Sequence, residues 1–98
     1  MGRSSREKPQ RLAEKLKWIR TSLGLTQNGI LIRLGYQDTS ITRNSISGYE
    51  RGKREPPLMV LYAYANLANV YMEVLVDDEI DLPGIIPSEK SLGREYED

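Results

Sequence analysis

Apolar residues recur at helical spacing near the start of the chain. Four of them follow one another at steps of four, three and four: Leu12, Leu16, Ile19 and Leu23. Residues at these steps share one face of a helix, so the stripe predicts a first helix over residues 9–24, ended by Gly24. Three basic residues fall mostly outside the stripe: Lys15, Lys17 and Arg20.

A second, shorter helix is predicted over residues 27–34. Thr26 is placed to cap its start and Gly35 to end it. Its buried side would consist of three apolar residues: Ile30, Leu31 and Leu34. Gly29 lies inside this helix and costs about 1 kcal/mol relative to alanine, and nothing else in the sequence compensates for that cost.

The third helix is predicted to follow Thr42 and to stop at Gly52. Three earlier residues are alternative starts: Asp38, Thr39 and Ser40. Ile46 and Tyr49 would face the core. The other positions are small or polar, so the outer face of this helix has little to bury.

A fourth helix is predicted from Pro57 to Asn69, after a break at two consecutive prolines. Residues 58–65 are apolar without interruption, which is more than a helix buried on one face needs. The surplus comprises Met59, Val60 and Ala63. These residues either pack under the C-terminal segment or form the interface of a homodimer, and we favour the homodimer.

The last quarter of the chain changes in character. Residues 70–78 suit a short fifth helix, whereas residues 78–98 combine glycine, proline and charge without periodicity, which favours an extended or disordered segment. The carboxylates within residues 77–81 do not have calcium-loop spacing and are expected to form a solvated acidic turn. The chain is therefore predicted to be all-α, with a basic arm (1–9), a domain of five short helices (10–77) and an irregular acidic tail (78–98).

Composition excludes several kinds of chemistry. The 98 residues include no cysteine and no histidine, so disulfides, thiolate catalysis and the commonest metal ligands are absent. No glycine loop for phosphates and no pair of catalytic carboxylates is recognisable. We therefore expect a cytoplasmic protein that is not an enzyme, has no cofactor or metal, and lacks a secretory signal or a membrane span.

The net charge of zero conceals an asymmetry. Residues 1–71 carry 12 Lys and Arg against five Asp and Glu, a net of +7, whereas residues 72–98 carry two against nine, a net of −7. A basic body with an acidic tail is typical of polyanion-binding proteins, although such charge runs also occur as plain solvated faces.

The third helix carries the residues with nucleic-acid chemistry. Two short helices joined by a turn with Gly35, the second with a polar outer face, describe a helix-turn-helix. Arg43 is suited to a bidentate contact with guanine and Asn44 to one with adenine. Three cations beyond the helix suit phosphate contacts: Arg51, Lys53 and Arg54.

Four segments in this order and spacing resemble the Cro/repressor helix-turn-helix family (XRE type): "GLTQ", "LGY", "ISGYERGKREPP" and "LANVYMEVL". The resemblance covers roughly residues 10–77. It implies a lambda-repressor-like fold of five helices and a transcriptional repressor that binds a palindromic operator in double-stranded DNA as a homodimer.

The resemblance also implies roles for individual residues. Base reading falls to Arg43, Asn44 and Ser47, and phosphate contacts to Thr26, Gln27 and Thr42 in addition to the three cations. Arg20 and Glu50 match a structural ion pair that ties the first helix to the third.

The chain departs from the family pattern at three places. About four extra residues, roughly 37–40, lengthen the turn between the second and third helices. Leu31 stands where a small residue is usual, and Gly48 replaces a position that often carries a base-reading side chain.

Two other functions remain open. In one, the chain is an antitoxin or interaction module whose tail binds a partner protein. In the other, the acidic tail folds back on the basic face and weakens DNA binding, most visibly at low salt. The basic arm, with Arg3, Arg6 and Lys8, either wraps DNA or is simply disordered.

Overall fold

The computed structural model describes residues 8–35 and 40–95. This part of the chain contains five α-helices: α1 (Leu12–Ser22), α2 (Gln27–Leu34), α3 (Arg43–Glu50), α4 (Leu58–Ala68) and α5 (Met72–Val76). Two short strands follow, β1 (Ile80–Asp81) and β2 (Arg94–Glu95). The prediction of an all-α protein with five short helices is confirmed.

The threonine and glycine signals determine the ends of α2 and α3. Thr26 Oγ1 accepts a hydrogen bond from Gly29 N at 2.9 Å. Thr42 and Ser45 exchange side-chain and backbone hydrogen bonds in a capping box. Gly35 and Gly52 end these helices with φ angles of 80° and 72°, in the left-handed region where a side chain would be strained.

The glycine inside α2 has close neighbours. A Cβ atom at Gly29 would lie 3.2 Å from Thr26 Oγ1 and 3.3 Å from Leu25 Cδ2. These distances are tighter than most Cβ contacts, so Leu25 or Thr26 would have to shift by a few tenths of an ångström to admit a side chain at this position.

The core draws on all five helices. Its fully buried side chains include Leu16 and Ile19 of α1, Ile30 of α2, Ile46 of α3, Val60 and Tyr64 of α4, and Val74 and Leu75 of α5. The α1 helix packs against α3, α4 and α5, while α2 packs against α3 and α4. Leu31, expected on the buried side of α2, is only half-buried.

One predicted dimer residue belongs to this core. Val60 is 1% exposed, because it lies on the inner side of α4 together with Leu61 and Tyr64. The assignment of Val60 to a homodimer interface is therefore wrong. Met59, in contrast, is 58% exposed, and Ala63 is half-buried.

The C-terminal segment is extended and packs against the helices as far as it is described. Strand β1 pairs antiparallel with β2, with Ile80 opposite Glu95 and Asp81 opposite Arg94. Ser91 forms a bridge with Val70, and Leu82 joins the hydrophobic core. Residues 78–95 therefore complete the helical domain along one side.

The acidic turn after α5 is not simply solvated, contrary to expectation. Asp78 accepts hydrogen bonds from Gln10 N at 2.8 Å and from Arg11 N at 3.0 Å, and so caps the start of α1. These bonds hold the pKa of Asp78 below its ordinary value. The Arg11 guanidinium in turn donates to the Asp78 carbonyl at 2.9 Å and forms an ion pair with Asp81.

Lys15 fixes the same contact from inside the protein. It is 2% exposed, and its Nζ donates to three carbonyl oxygens, those of Val74 at 2.7 Å, Ile80 at 2.8 Å and Asp77 at 2.9 Å. Burial lowers the pKa of the Lys15 ammonium group, an effect that Arg11 adds to and the nearby aspartates oppose. Three hydrogen bonds satisfy the three donors of the ammonium group, so this buried cation is fully paired.

Within residues 8–35 and 40–95, no helix has the length and apolar character required to cross a bilayer.

Candidate nucleic-acid interface

The α3 helix presents its polar face to solvent because its apolar residues are anchored in the core. Ile46 is 0% exposed and Tyr49 is 4% exposed, which fixes the rotation of the helix about its axis. Arg43 and Asn44, in the first turn, are exposed, and Ser47 is half-buried. In the described part of the chain, the side chains of Arg43 and Asn44 make no hydrogen bond or ion pair.

An ion pair joins α3 to α1. Arg20 donates from Nε to Glu50 Oε2 at 2.7 Å and from Nη2 to Glu50 Oε1 at 3.0 Å. A third bond runs from Arg20 Nη1 to the carbonyl of Leu25 at 2.9 Å, at the start of the loop into α2. The hydrogen bond to Glu50 raises the pKa of Arg20. The two-bond geometry holds the end of α3 in a fixed position against α1.

The side chain of Gln27 belongs to this same cluster. Its Nε2 donates to Glu50 Oε1 at 3.3 Å, so one carboxylate connects the first helical position of α2, the last of α3 and the last turn of α1. The sequence suggested a phosphate contact for Gln27. One N–H of its amide is directed at Glu50, so Gln27 also holds this carboxylate in position, and its second N–H is not used by this bond.

The two capping threonines use their oxygens inside the protein. Thr26 Oγ1 accepts from Gly29 N, and Thr42 Oγ1 accepts from Ser45 N at 3.4 Å. A hydroxyl that accepts a hydrogen bond still has its O–H to donate. Both threonines are exposed, so each has an O–H that a ligand at the helix start can reach.

The three cations after α3 are exposed but differ in their contacts. Arg51 Nε donates to the carbonyl of Ser47 at 3.4 Å, which keeps this side chain along the helix. Lys53 extends from the turn, and in the described part of the chain its side chain makes no hydrogen bond or ion pair. Arg54 lies on α3, with its Cδ 3.1 Å from where a Cβ of Gly48 would be.

Some predicted features fall outside the described residues. Arg3 and Arg6 of the basic arm are among them, as is most of the lengthened turn before Ser40. Lys8, at the end of the arm, is exposed. In residues 8–35 and 40–95, no group of three or more His, Cys, Asp or Glu side chains is placed to hold a metal ion.

Sequence reasoning missed the role of Lys15. The pattern placed this residue off the apolar stripe, yet it lies three residues after Leu12 and four before Ile19, which is core spacing. A lysine at such a position either interrupts the apolar face of the helix or is a buried cation with hydrogen-bond partners. The structure shows the second case, because the partners are carbonyl groups of α5 and β1 and of the residue that follows α5.

The geometry defines the class of protein. Two short helices, α2 and α3, pack against each other, and the second exposes Arg43 and Asn44 beside further cations, as in a DNA-binding helix-turn-helix.

Comparison with known families gives the same result. A family model described as Helix-turn-helix matches residues 16–75, from the middle of α1 into α5. The chain belongs to the Cro/repressor-type (XRE) helix-turn-helix family, and its lambda-repressor-like fold and DNA-binding character are confirmed. No curated protein and no solved structure shows significant similarity to the chain.

Proposed function

We propose that this protein is a sequence-specific transcriptional repressor that binds a palindromic operator as a homodimer, with α3 in the major groove. The observation that carries the proposal is that the side chains of Arg43 and Asn44 are exposed and unpaired in the described part of the chain. Both are exposed at the start of α3 and have no partner within the described residues, on a helix whose rotation is fixed by its buried side and by Glu50.

The chemistry of these two side chains matches the major groove. The guanidinium of Arg43 can donate to O6 and N7 of a guanine, and the amide of Asn44 can pair with N6 and N7 of an adenine. Small residues next to them let the backbone approach the base edges. We assign Ser47, half-buried on the same face, to a supporting base contact.

Phosphate contacts are assigned to groups around α3. Arg51 and Lys53 carry positive charge beyond its C-terminal end, and Thr26 and Thr42 are exposed at the two helix starts, each with an O–H to donate. Such contacts determine affinity and register, but they do not discriminate between bases. Gln27 contributes by holding Glu50 in position, and its free backbone N–H at the start of α2 remains able to meet a phosphate.

The proposed homodimer uses the outer side of α4. Met59 and Ala63 lie on this side with two exposed apolar neighbours, Leu58 at 68% and Tyr62 at 49% exposure. Exposed apolar side chains at helical spacing mark a surface for association, and a two-fold dimer matches two operator half-sites. Met59→Glu should therefore convert a dimer to a monomer in sedimentation analysis and weaken operator binding without unfolding the chain.

The alternative function, in which the tail binds a partner protein, has less support. Residues 78–95 already pair with Val70, Asn69 and Tyr71 and contribute Leu82 to the core. A tail that wraps a partner would have to give up these contacts. Their presence favours a tail that stabilises its own domain.

The decisive experiment is a selection from genomic DNA fragments with the purified protein, compared with the double variant Arg43→Ala/Asn44→Ala. We expect the natural sequence to enrich a palindromic motif and the double variant to lose it. The double variant Asn28→Ala/Arg33→Ala, which removes the same two side-chain types from α2, serves as the control and should keep the motif. Binding without any motif, or no binding at physiological salt, would refute the proposal.

A further inference from the structure

Gly48 is buried on a face of α3 that is otherwise exposed. Asn44, one turn earlier, and Arg51, one turn later, are both open to solvent. The atoms that cover Gly48 belong to Arg54. A Cβ atom at Gly48 would lie 3.1 Å from Cδ, 3.2 Å from Cγ and 3.6 Å from Cβ of Arg54. The stem of Arg54 therefore lies along α3, in the space that a side chain at position 48 would fill.

The turn after α3 holds Arg54 in this place. The carbonyl of Gly48 accepts hydrogen bonds from Lys53 N at 2.9 Å and from Arg54 N at 3.3 Å. Gly52, with φ at 72°, reverses the chain so that both amides return to the helix they have just left. Lys53 and Arg54 share these backbone bonds, but the contact with Gly48 is made by the side chain of Arg54.

The guanidinium group of Arg54 has no partner in the part of the chain that the structure describes. Burial raises the pKa of Tyr49, and the nearby positive charge of Arg54 opposes this rise. The outer stem atoms Cγ and Cδ lie nearest to the Cβ position of Gly48, so the stem follows the surface of α3 as it leaves the turn. The N–H donors of the guanidinium are available to a ligand of that surface.

We propose that Arg54 is a specificity-determining residue that reads a guanine in the operator, in the place of a side chain at position 48. Paired N–H donors in a rigid plane match O6 and N7 of guanine, whereas a lysine in the same place would act as a point charge. The proposal rests on the proposed function, since it assumes that α3 enters the major groove. It separates Arg54 from Lys53, its neighbour in sequence, whose contact is with phosphate.

The test uses the motif selected by the natural protein and compares Arg54→Ala with Lys53→Ala. Each variant removes one exposed positive charge, and the two charges are adjacent in the turn after α3. We expect Arg54→Ala to reduce discrimination at one base position of each half-site by about 5- to 150-fold. Lys53→Ala should weaken binding to all sequences alike and lower the slope of log affinity against log salt by about 1.

A second variant tests the contact with Gly48. Gly48→Leu keeps Arg54 and its charge but fills the space in which the stem lies, with a side chain that cannot hydrogen-bond to a base. We expect it to lose discrimination at the same base position as Arg54→Ala. Circular dichroism and thermal unfolding would show that each variant is folded.

The outcomes separate this inference from the proposed function. If the natural protein selects a motif and Arg54→Ala retains every position of it with a uniform loss of affinity, Arg54 is a phosphate contact and only the inference is refuted. If the natural protein selects no motif, the proposed function fails and the inference fails with it. A motif position lost in Arg54→Ala and Gly48→Leu, but kept in Lys53→Ala, supports both.

Discussion

The basic side chains of Arg11, Lys15 and Arg20, around α1, have partners within the protein, whereas those of Lys53 and Arg54, after α3, have none in the described residues. Arg11 and Lys15 bind the acidic segment after α5, and Arg20 binds Glu50. Lys53 and Arg54 have no hydrogen-bond partner for their side chains in the described residues. The same residue types thus serve stability on one side of the molecule and remain available to a ligand on the other.

This difference explains why the surface around α3 is positively charged in a chain whose net charge is zero. Asp78 and Asp81 of the C-terminal segment bind the start of α1, far along the helix from the ion pair at Arg20. Among the described residues, Arg43, Lys53 and Arg54 have no acidic partner, although the chain as a whole is neutral. A binding face needs cations without internal partners, because a paired cation must first break its pair before it meets a phosphate.

The largest expected effect concerns the buried cation. Lys15→Ala removes three hydrogen bonds and leaves a cavity, and it should lower the free energy of unfolding by about 4 kcal/mol. Lys17→Ala, an exposed lysine of the same helix, should change it by less than about 0.5 kcal/mol. Urea unfolding of both variants measures the difference. Equal values for the two lysines would contradict the structural role of Lys15.

A glycine in the C-terminal segment tests whether this segment is part of the domain. Gly93 has a φ angle of 78°. A Cβ there would lie 2.8 Å from Ile80 Cγ2 and would overlap with the carbonyl oxygen of Asp81. Gly93→Ala should therefore destabilise the protein by about 3 kcal/mol, through strain and displacement of the strand pair. Gly84→Ala is the matched control, since a Cβ at Gly84 meets nothing within 4 Å. A thermal-unfolding midpoint unchanged by Gly93→Ala would mean that the segment detaches at little cost.

A smaller, pH-dependent effect is expected at the cap of α1. Asp78→Asn replaces the charged acceptor of the hydrogen bonds from Gln10 N and Arg11 N by a neutral one, and it should cost about 1 kcal/mol at neutral pH because hydrogen bonds to charged groups are stronger. The folded-state pKa of Asp78 is lowered, so its contribution is fully present above the ordinary value of 3.8 and disappears as the pH falls through the folded-state value. Unfolding curves of the two proteins should thus converge in acid. A constant difference at all pH values would show that the carboxylate charge is not involved.

The smallest effect on stability is expected on the exposed face of α3. Arg43→Ala/Asn44→Ala should change the free energy of unfolding by less than about 0.5 kcal/mol, because both side chains are exposed and make no contact in the described residues. Removal of Arg43 even takes a positive charge away from the helix start, where it is unfavourable. Calorimetry on this variant checks the expectation. A loss above 1 kcal/mol would assign these residues to folding and not to recognition.

Local signals in the sequence predicted much of the fold. Thr26 and Gly35 bound α2, and Thr42 and Gly52 mark the limits of α3, because caps and left-handed turns depend on the side chains at the position itself. The α1 helix begins at Leu12, later than predicted, since its start is capped by Asp78 from the far end of the chain. No local pattern contains that information.

In the candidate site, too, some features could be predicted from the sequence and others depend on tertiary contacts. The identity and exposure of Arg43 and Asn44 were readable, since they follow a cap and lie opposite Ile46 and Tyr49. Val60 was misplaced, because an uninterrupted apolar run does not reveal which of its residues faces inward. The roles proposed for Gln27 and Arg54 depend on contacts with Glu50 and Gly48, and no spacing rule specifies such contacts.

The sequence by itself determined the helices, the caps of α2 and α3, the polar outer face of α3 and the family to which the chain belongs. These features depend on residues within one or two turns of each other, or on short motifs. Only the tertiary structure decided which cations are buried and paired, which side of α4 remains open, and that the acidic segment after α5 completes the domain. Those outcomes depend on groups up to 70 residues apart, such as Arg11 and Asp81, whose meeting is set by the packing of the whole chain.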